Sequence, residues 1–302
     1  SLAVLASSAL AAGCTADAAD ADDDLAVDES EAALHARPGR GVLGLRFRGL
    51  EPLGPDYVYE GWLIVNGEPV SAGRFELSSP GSAIYFTGPR AVLRSATAYV
   101  LTIEPKVGDD PAPSKVHVLA GDIHRSYGRG YASLTIGHPA ALGTDFATAS
   151  GGYILQTPTT ASVAGDYRQG IWFVDPAAGA PSLSLPALPD GWVYEGWVVS
   201  GGAPVSTGRF KVPAGADSDG AGPTAGPDGS PPFPGQDFIT PPMDLVGGKV
   251  VISDEPEPDD MPAPFAIKPL VDEETTDVGP GVLQPLANAA RTNAPRGVAV
   301  LF

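Results

Sequence analysis

One stretch of about twenty residues occurs twice in this chain, and the repeat limits the possible folds more than any other feature. The sequence reads VYEGWLIVNGEPVSAGRF from Val58 to Phe75 and VYEGWVVSGGAPVSTGRF from Val193 to Phe210. Compared without a gap, residues 57–77 and 192–212 are identical at 12 of 21 positions, where composition alone would give roughly one or two. The chain is therefore expected to contain two copies of one structural unit.

Each copy has the sequence pattern of antiparallel strands. Short runs rich in valine, isoleucine and aromatic residues alternate with turn residues, and Asn66-Gly67 and Gly201-Gly202 mark hairpins inside the repeated stretch. Both copies end in an acidic, proline-rich turn that leads into a last strand, EPKVGDDPAPSKVHVL from Glu104 and EPEPDDMPAPFAIKPL from Glu255. The sequence predicts an all-β fold of two tandem antiparallel β-sandwich-like domains.

The charge of the chain argues against one class of partner. The formal net charge is −18 and the sequence pI is about 4.4, so the phosphate backbone of a nucleic acid would be repelled. An acidic surface of this kind suits a secreted or salt-adapted protein, and a GC-rich genome would produce a similar bias.

The single cysteine follows an apolar segment at the N-terminus. SLAVLASSALAAGC places small residues directly before Cys14, as in the apolar region and cleavage site of a secretion signal. The segment resembles a bacterial lipoprotein signal, which implies lipidation of Cys14, membrane attachment through that lipid, and a location outside the cytoplasm on the cell envelope. The alternative is a buried cysteine on a short N-terminal helix.

An acidic tract follows, TADAADADDDLAVDESEAALHARPGRG, and it contains no aromatic residue. Its composition predicts a disordered tether. The predicted organisation is a signal peptide at 1–13, a lipidated tether at 14–40, a first β domain at 41–123, a second β domain at 124–272 with extra strands and a Gly/Pro-rich insert, and a C-terminal tail at 273–302 that ends in a strand.

The repeated residues resemble a known family, the extracytoplasmic C-terminal domain of anti-sigma-K factors. That domain carries a Tyr-x-x-Trp strand, a returning strand with Ser-x-Gly, and a closing turn that begins with Glu-Pro. The matching residues are Tyr59, Trp62, Ser71, Gly73, Glu104, Pro105 and Pro113 in the first copy, and Tyr194, Trp197, Ser206, Gly208, Glu255, Pro256 and Pro264 in the second.

The resemblance implies a non-enzymatic β module outside the cytoplasm. Anti-sigma factors of this family bind the sigma factor through a separate cytoplasmic domain, which the sequence does not show, so sigma-factor binding does not follow from it. We expect a cell-envelope lipoprotein with a binding, sensory or structural role, and an envelope protein or a polysaccharide as possible partner. The alternative is a secreted carbohydrate-active or hydrolytic enzyme on a β-sandwich.

Two pairs of opposite charges recur inside the repeat. Glu60 and Arg74 are separated by fourteen residues, as are Glu195 and Arg209. They are predicted to be either ion pairs that fix the hairpin register or groups that bind a ligand. With regular strand alternation the two members point to opposite faces, so the pairs require a β-bulge or a strand edge.

The other chemistry-bearing residues give weaker signals. The four histidines have no metal-ligand spacing, and the sequence contains no phosphate loop or nucleophile motif, so we expect no cofactor, no metal site and no catalytic residue. Asp217 and Asp219 in the insert are weak calcium candidates, with a flexible loop as the alternative. Gly73 and Gly208 are predicted to let the rings of Trp62 and Trp197 lie across the backbone, in preference to a sugar-binding platform.

Overall fold

The computed structural model describes residues 25–77, 81–160, 165–258 and 261–302. The apolar leader, Cys14 and residues 15–24 of the acidic tract lie outside the described residues. Three short helices and nineteen strands are assigned within the described part. They are α1 Glu29–His35, β1 Arg40–Arg48, β2 Tyr57–Val65, β3 Glu68–Phe75, β4 Ile84–Pro89, α2 Arg90–Ser95, β5 Ala96–Pro105, β6 His117–Asp122, β7 His124–Ser126, β8 Arg129–Thr135, β9 Gly151–Leu155, β10 Gly170–Trp172, β11 Val174–Asp175, β12 Ala180–Pro181, β13 Trp192–Val199, β14 Val205–Phe210, β15 Gly235–Asp237, β16 Lys249–Pro256, β17 Ile267–Asp272, β18 Gln284–Asn288, α3 Ala290–Asn293 and β19 Arg296–Leu301.

The all-β prediction is confirmed, and the strands form two large antiparallel sheets. The first sheet has the order β3-β2-β5-β6-β8-β19-β1-β4, with β7 paired to β8. The second has the order β14-β13-β16-β17-β18-β9-β10-β15. In each sheet the two edge strands approach each other, β3 toward β4 and β14 toward β15. Each sheet is therefore nearly closed on itself.

The chain crosses between the sheets twice. After β8 in the first sheet it continues as β9 in the second, and after β18 in the second sheet it returns as β19 in the first. The segment 124–272, predicted to form the second β domain, contributes β7 and β8 to the first sheet. The tail at 273–302 provides β18 of the second sheet and β19 of the first.

Both sheets enclose apolar side chains that belong to one continuous core. Tyr59 and Tyr99 lie inside the first sheet and Tyr194 and Phe173 inside the second, and all four are at most 1% exposed. Burial of this much aromatic and aliphatic surface is the main stabilising contribution to the fold.

The described part of the predicted tether contains helix α1, so residues 25–40 are not a disordered segment. Asp28 caps α1 by accepting a hydrogen bond from the Ser30 amide at 2.6 Å. Leu25 and Ala32 are each 2% exposed, and the His35 ring stacks on Tyr85. Packing of this short apolar face against β1 and β4 stabilises a helix too short to persist alone.

Candidate functional site

The repeated hairpin places a glutamate opposite an arginine in both sheets. Glu60 pairs in register with Arg74, and Glu195 pairs with Arg209. The Nε atom of Arg74 lies 3.5 Å from Oε2 of Glu60, and that of Arg209 lies 2.7 Å from Oε2 of Glu195. The glutamate side chains are 6% and 3% exposed, and the arginine side chains are 35% and 31% exposed. Each pair therefore joins a buried carboxylate to a half-exposed cation.

A β-bulge brings the two charges to the same face in each hairpin. The strand register shifts between Gly61 and Trp62 in the first copy and between Glu195 and Trp197 in the second. An extra residue at this point reverses the face to which the following side chains point. The observed bulge is one of the two arrangements that the sequence analysis required for these ion pairs.

A serine on the returning strand completes the environment of each glutamate. The hydroxyl of Ser71 donates a hydrogen bond to Glu60, and that of Ser206 donates to Glu195. Arg74 also donates to the backbone carbonyl of Pro105 and lies 3.6 Å from the Asp109 carboxylate. In the first copy the arginine thus connects the hairpin to the closing turn.

A hydrogen-bonded chain extends from the repeated tryptophan to the closing turn. In the first sheet the Trp62 indole N–H donates to Oγ1 of Thr102 at 2.8 Å, and the Thr102 hydroxyl donates to Glu104. Oε1 of Glu104 also accepts from the Ser114 amide at 2.9 Å. Burial raises the pKa of Glu104, and the hydrogen bonds from Thr102 and Ser114 oppose that rise. Through these hydrogen bonds the buried Glu104 side chain connects the start of the closing turn to Ser114 near its end.

The second sheet contains the same chain with one conservative change. The Trp197 indole N–H donates to Ser253 at 2.8 Å, and Ser253 donates to Glu255. Oε1 of Glu255 accepts from the Phe265 amide at 2.9 Å. The Tyr-x-x-Trp strand and the Glu-Pro turn of the repeat are therefore parts of one buried polar network.

The prediction that the repeated glycines accommodate the tryptophan rings is wrong. The side chain nearest to Gly73 is the ring of Phe86, and the side chain nearest to Gly208 is the carboxyl group of Asp217. Both glycines have a positive φ, 136° and 104°, which other residues rarely adopt. Trp62 and Trp197 are each 3% exposed and lie in small apolar clusters apart from the main core. This burial is incompatible with an open sugar-binding platform.

The two closing turns face each other across a cleft between the sheets, which we call the closing-turn cleft. Its volume is about 480 Å³. The lining residues are Tyr57, Ile103, Pro105, Ser114, Lys115, Val116, Asp190, Gly191, Lys211, Pro256, Glu257 and Pro258. Pro105 and Pro256 directly follow the two buried glutamates of the network. The network therefore positions opposite walls of the cleft.

The charged groups of the closing-turn cleft form two exposed ion pairs. Lys115 Nζ lies 2.9 Å from Asp190 Oδ2, and Lys211 Nζ lies 2.8 Å from Glu257 Oε2. The hydrogen bond from Lys115 lowers the pKa of Asp190, and that to Glu257 raises the pKa of Lys211. Between these pairs the walls are mostly apolar, so the cleft suits a ligand with an apolar body and charged or polar ends.

The insert of the second copy fills the space beside its hairpin. Asp217 lies against Gly208, and its Oδ2 accepts a hydrogen bond from the Gly235 amide at 2.8 Å. Burial raises the pKa of Asp217 to about 7. Among the described residues no group of three or more histidine, cysteine or acidic side chains is arranged to hold a metal.

The sequence named the hairpin charges but missed the groups that line the cleft. Lys115, Asp190 and Lys211 come together only because the two sheets meet at their closing turns. The buried role of Glu104 and Glu255 had a readable signal, because both precede a proline at the same place in the repeat.

Comparison with known proteins supports the resemblance over part of the chain. In the described part, no helix combines the length and apolarity needed to cross a membrane. No curated protein and no solved structure gives a significant match. The family described as Anti-sigma-K factor rskA, C-terminal, matches residues 2–117. Over this region, which includes the N-terminal apolar run and the first copy up to the start of β6, the chain is similar to the C-terminal domain of anti-sigma-K factors.

Proposed function

We propose that this chain is an extracytoplasmic lipoprotein that carries two anti-sigma-K-like β domains and acts as a non-enzymatic binding module. The apolar run before Cys14 supports the lipid anchor, and the repeated hairpin and closing turn support the second domain. The observation that favours binding is the closing-turn cleft, because its walls are set by the same buried network in both copies.

The chemistry of the cleft favours a polypeptide segment as its ligand. Ile103, Val116 and three prolines provide apolar walls, and the ion pairs of Lys115 and Lys211 lie at the rim. A polysaccharide would present many hydroxyl groups to the apolar walls without hydrogen-bond partners. A segment of an envelope protein with an apolar body and polar or charged ends would match the lining, which makes an envelope protein the partner that we propose.

The proposal is tested by photo-crosslinking in the native cell. A photoreactive residue at position 115 should crosslink one polypeptide partner, whereas the same residue at exposed Lys249 on the second sheet should not. The change Val116→Trp should abolish the crosslink because it fills the cleft. The same crosslink from both positions, or one that survives Val116→Trp with the fold intact, would contradict the proposed site. Mass spectrometry of the mature N-terminus in these cells should find lipid on Cys14.

A further inference from the structure

One end of the first sheet carries a concentration of arginine that the proposed binding function does not use. This end, which we call the arginine end, is formed by residues 36–41, 65–68, 89–97 and 121–130. These segments contain six arginines, Arg37, Arg40, Arg90, Arg94, Arg125 and Arg129, and two acids, Glu68 and Asp122. Together with Glu29, whose carboxylate binds Arg129, they carry a net charge of +3 in a chain of net charge −18.

Strand pairing and hydrogen bonds bring these segments together. Arg40 pairs in register with Pro89, which directly precedes Arg90 at the start of α2. The Arg125 guanidinium donates to the carbonyl groups of Leu93 and Ala96 at 2.7 and 2.8 Å, and so joins the β7–β8 hairpin to the end of α2. The arginines therefore share one end of the sheet.

Three arginines at this end are available to a partner. Arg37, Arg90 and Arg94 are exposed, and none has an ion-pair partner among the residues that the structure describes. Arg90 and Arg94 are four positions apart on α2, so their side chains leave the helix on the same face. Arg129 is bound to Glu29 and lies over the Phe302 ring, 5.7 Å from its centroid.

The shape of the arginine end fits a surface partner better than a small ligand. Tyr127 lies at the tip of the β7–β8 hairpin and is fully exposed (103%), which is unusual for an aromatic side chain in water. Tyrosine and arginine together are typical of segments that contact the interface of a bilayer, where the ring enters the headgroup layer and the cation meets anionic lipid.

We propose that the arginine end docks on an anionic phospholipid bilayer. Strand β5 runs from this end at Ala96 to the closing-turn cleft at Pro105, a distance of about 30 Å at the usual rise per residue. A molecule docked through its arginine end would hold the cleft well away from the headgroups and open to a protein partner. This contact is additional to a lipid on Cys14 and does not require it.

The test uses residues 15–302, which retain every described residue and cannot be lipidated at Cys14. The protein should cosediment with phosphatidylcholine vesicles that contain phosphatidylglycerol and should not cosediment with phosphatidylcholine alone. Binding should weaken strongly at an ionic strength near 0.5 M because the surface charges are then screened. The triple variant Arg37→Gln, Arg90→Gln, Arg94→Gln should lower the partition coefficient by roughly two orders of magnitude.

A matched control variant distinguishes the effect of charge at the arginine end on vesicle binding from the effect of the net charge of the whole protein. The triple variant Lys106→Gln, Lys249→Gln, Arg291→Gln removes the same charge from positions outside the arginine end and should bind like the parent. All four native tryptophans are at most 3% exposed, so Y127W adds one exposed fluorophore, whose emission should shift to the blue and be quenched by brominated lipid. Equal binding to both vesicle types, equal loss in the two triple variants, or no binding would overturn the proposal. Polyglutamate binding as tight as vesicle binding, without quenching in Y127W, would assign this end to an acidic polymer instead.

Discussion

Asp254 is the least expected side chain in the molecule. It lies on β16 opposite Tyr194, is 0% exposed, and neither carboxyl oxygen has a hydrogen-bond partner among the described residues. In the first sheet the corresponding position, opposite Tyr59, is Ile103. Burial raises the pKa of Asp254 well above its usual value, and the neighbouring Glu255 adds to the rise.

This raised pKa makes folding stability depend on pH. The folded state holds the Asp254 proton to a higher pH than the unfolded chain, whose aspartates titrate near pH 3.9. The folded state therefore binds more protons above that pH, and the free energy of unfolding should fall as the pH rises. The substitution Asp254→Asn should remove this pH-dependent loss. It should raise the free energy of unfolding at pH 7 by about 2 kcal/mol relative to the parent.

Urea unfolding of the parent and of Asp254→Asn between pH 4 and pH 8 measures the effect. Asp228→Asn, at an exposed position of the insert, serves as the control and should leave the parent curve unchanged. Asp254→Ile, which introduces the residue of the first copy, should reduce the slope by the same amount. Parallel pH curves for the parent and both Asp254 variants would refute the prediction.

At the scale of elements, the repeated hairpins show what local sequence can predict. The strands, the turn at Asn66-Gly67 and the dependence of the Glu60–Arg74 contact on a bulge all follow from short-range patterns. Helix α1 was missed although Asp28 precedes it as a capping residue, because seven residues do not establish a helical period. The closing-turn cleft had no local signal, since its walls come from residues far apart in the chain.

Substitution of the two members of the half-buried ion pair in the second hairpin should lower the free energy of unfolding by different amounts. Arg209→Met leaves the Glu195 carboxylate, 3% exposed, without its cation and should lower the free energy of unfolding by about 3 kcal/mol. Glu195→Gln leaves an arginine that can turn toward water and should cost about 1 kcal/mol.

Denaturant unfolding of both variants and of the double variant measures the pair in a double-mutant cycle. Lys211→Met removes one member of an exposed pair of similar length, 62% and 46% exposed, and should cost less than about 1 kcal/mol. Equal losses for Arg209→Met and Lys211→Met would show that burial of Glu195 does not determine the cost.

At the scale of the whole molecule, the two sheets hold strands from both halves of the chain. β19, the last strand, lies between β8 and β1 in the first sheet, and β9 occupies the same place between β18 and β10 in the second. The sequence recognised RGVAVLF as a terminal strand but could not locate its partners, because strand pairing over more than 150 residues leaves no periodic signal. The order of the first four strands, in contrast, repeats as the duplicated sequence suggests.

This crossed arrangement predicts that the two sheets unfold together. β19 is central in the first sheet, and its residues Val298, Ala299 and Leu301 are at most 2% exposed, so its removal would expose both neighbouring strands. A chain that ends at residue 294 should lose amide protection along β1 and β8, more than 100 residues away in sequence, and hydrogen exchange measured by mass spectrometry locates that loss.

Because the connections to β9 and β19 join the sheets and the apolar core is continuous across them, the parent should unfold in one calorimetric transition. Two separate transitions, or loss of protection confined to the first sheet after truncation, would mean that each sheet folds as an independent domain.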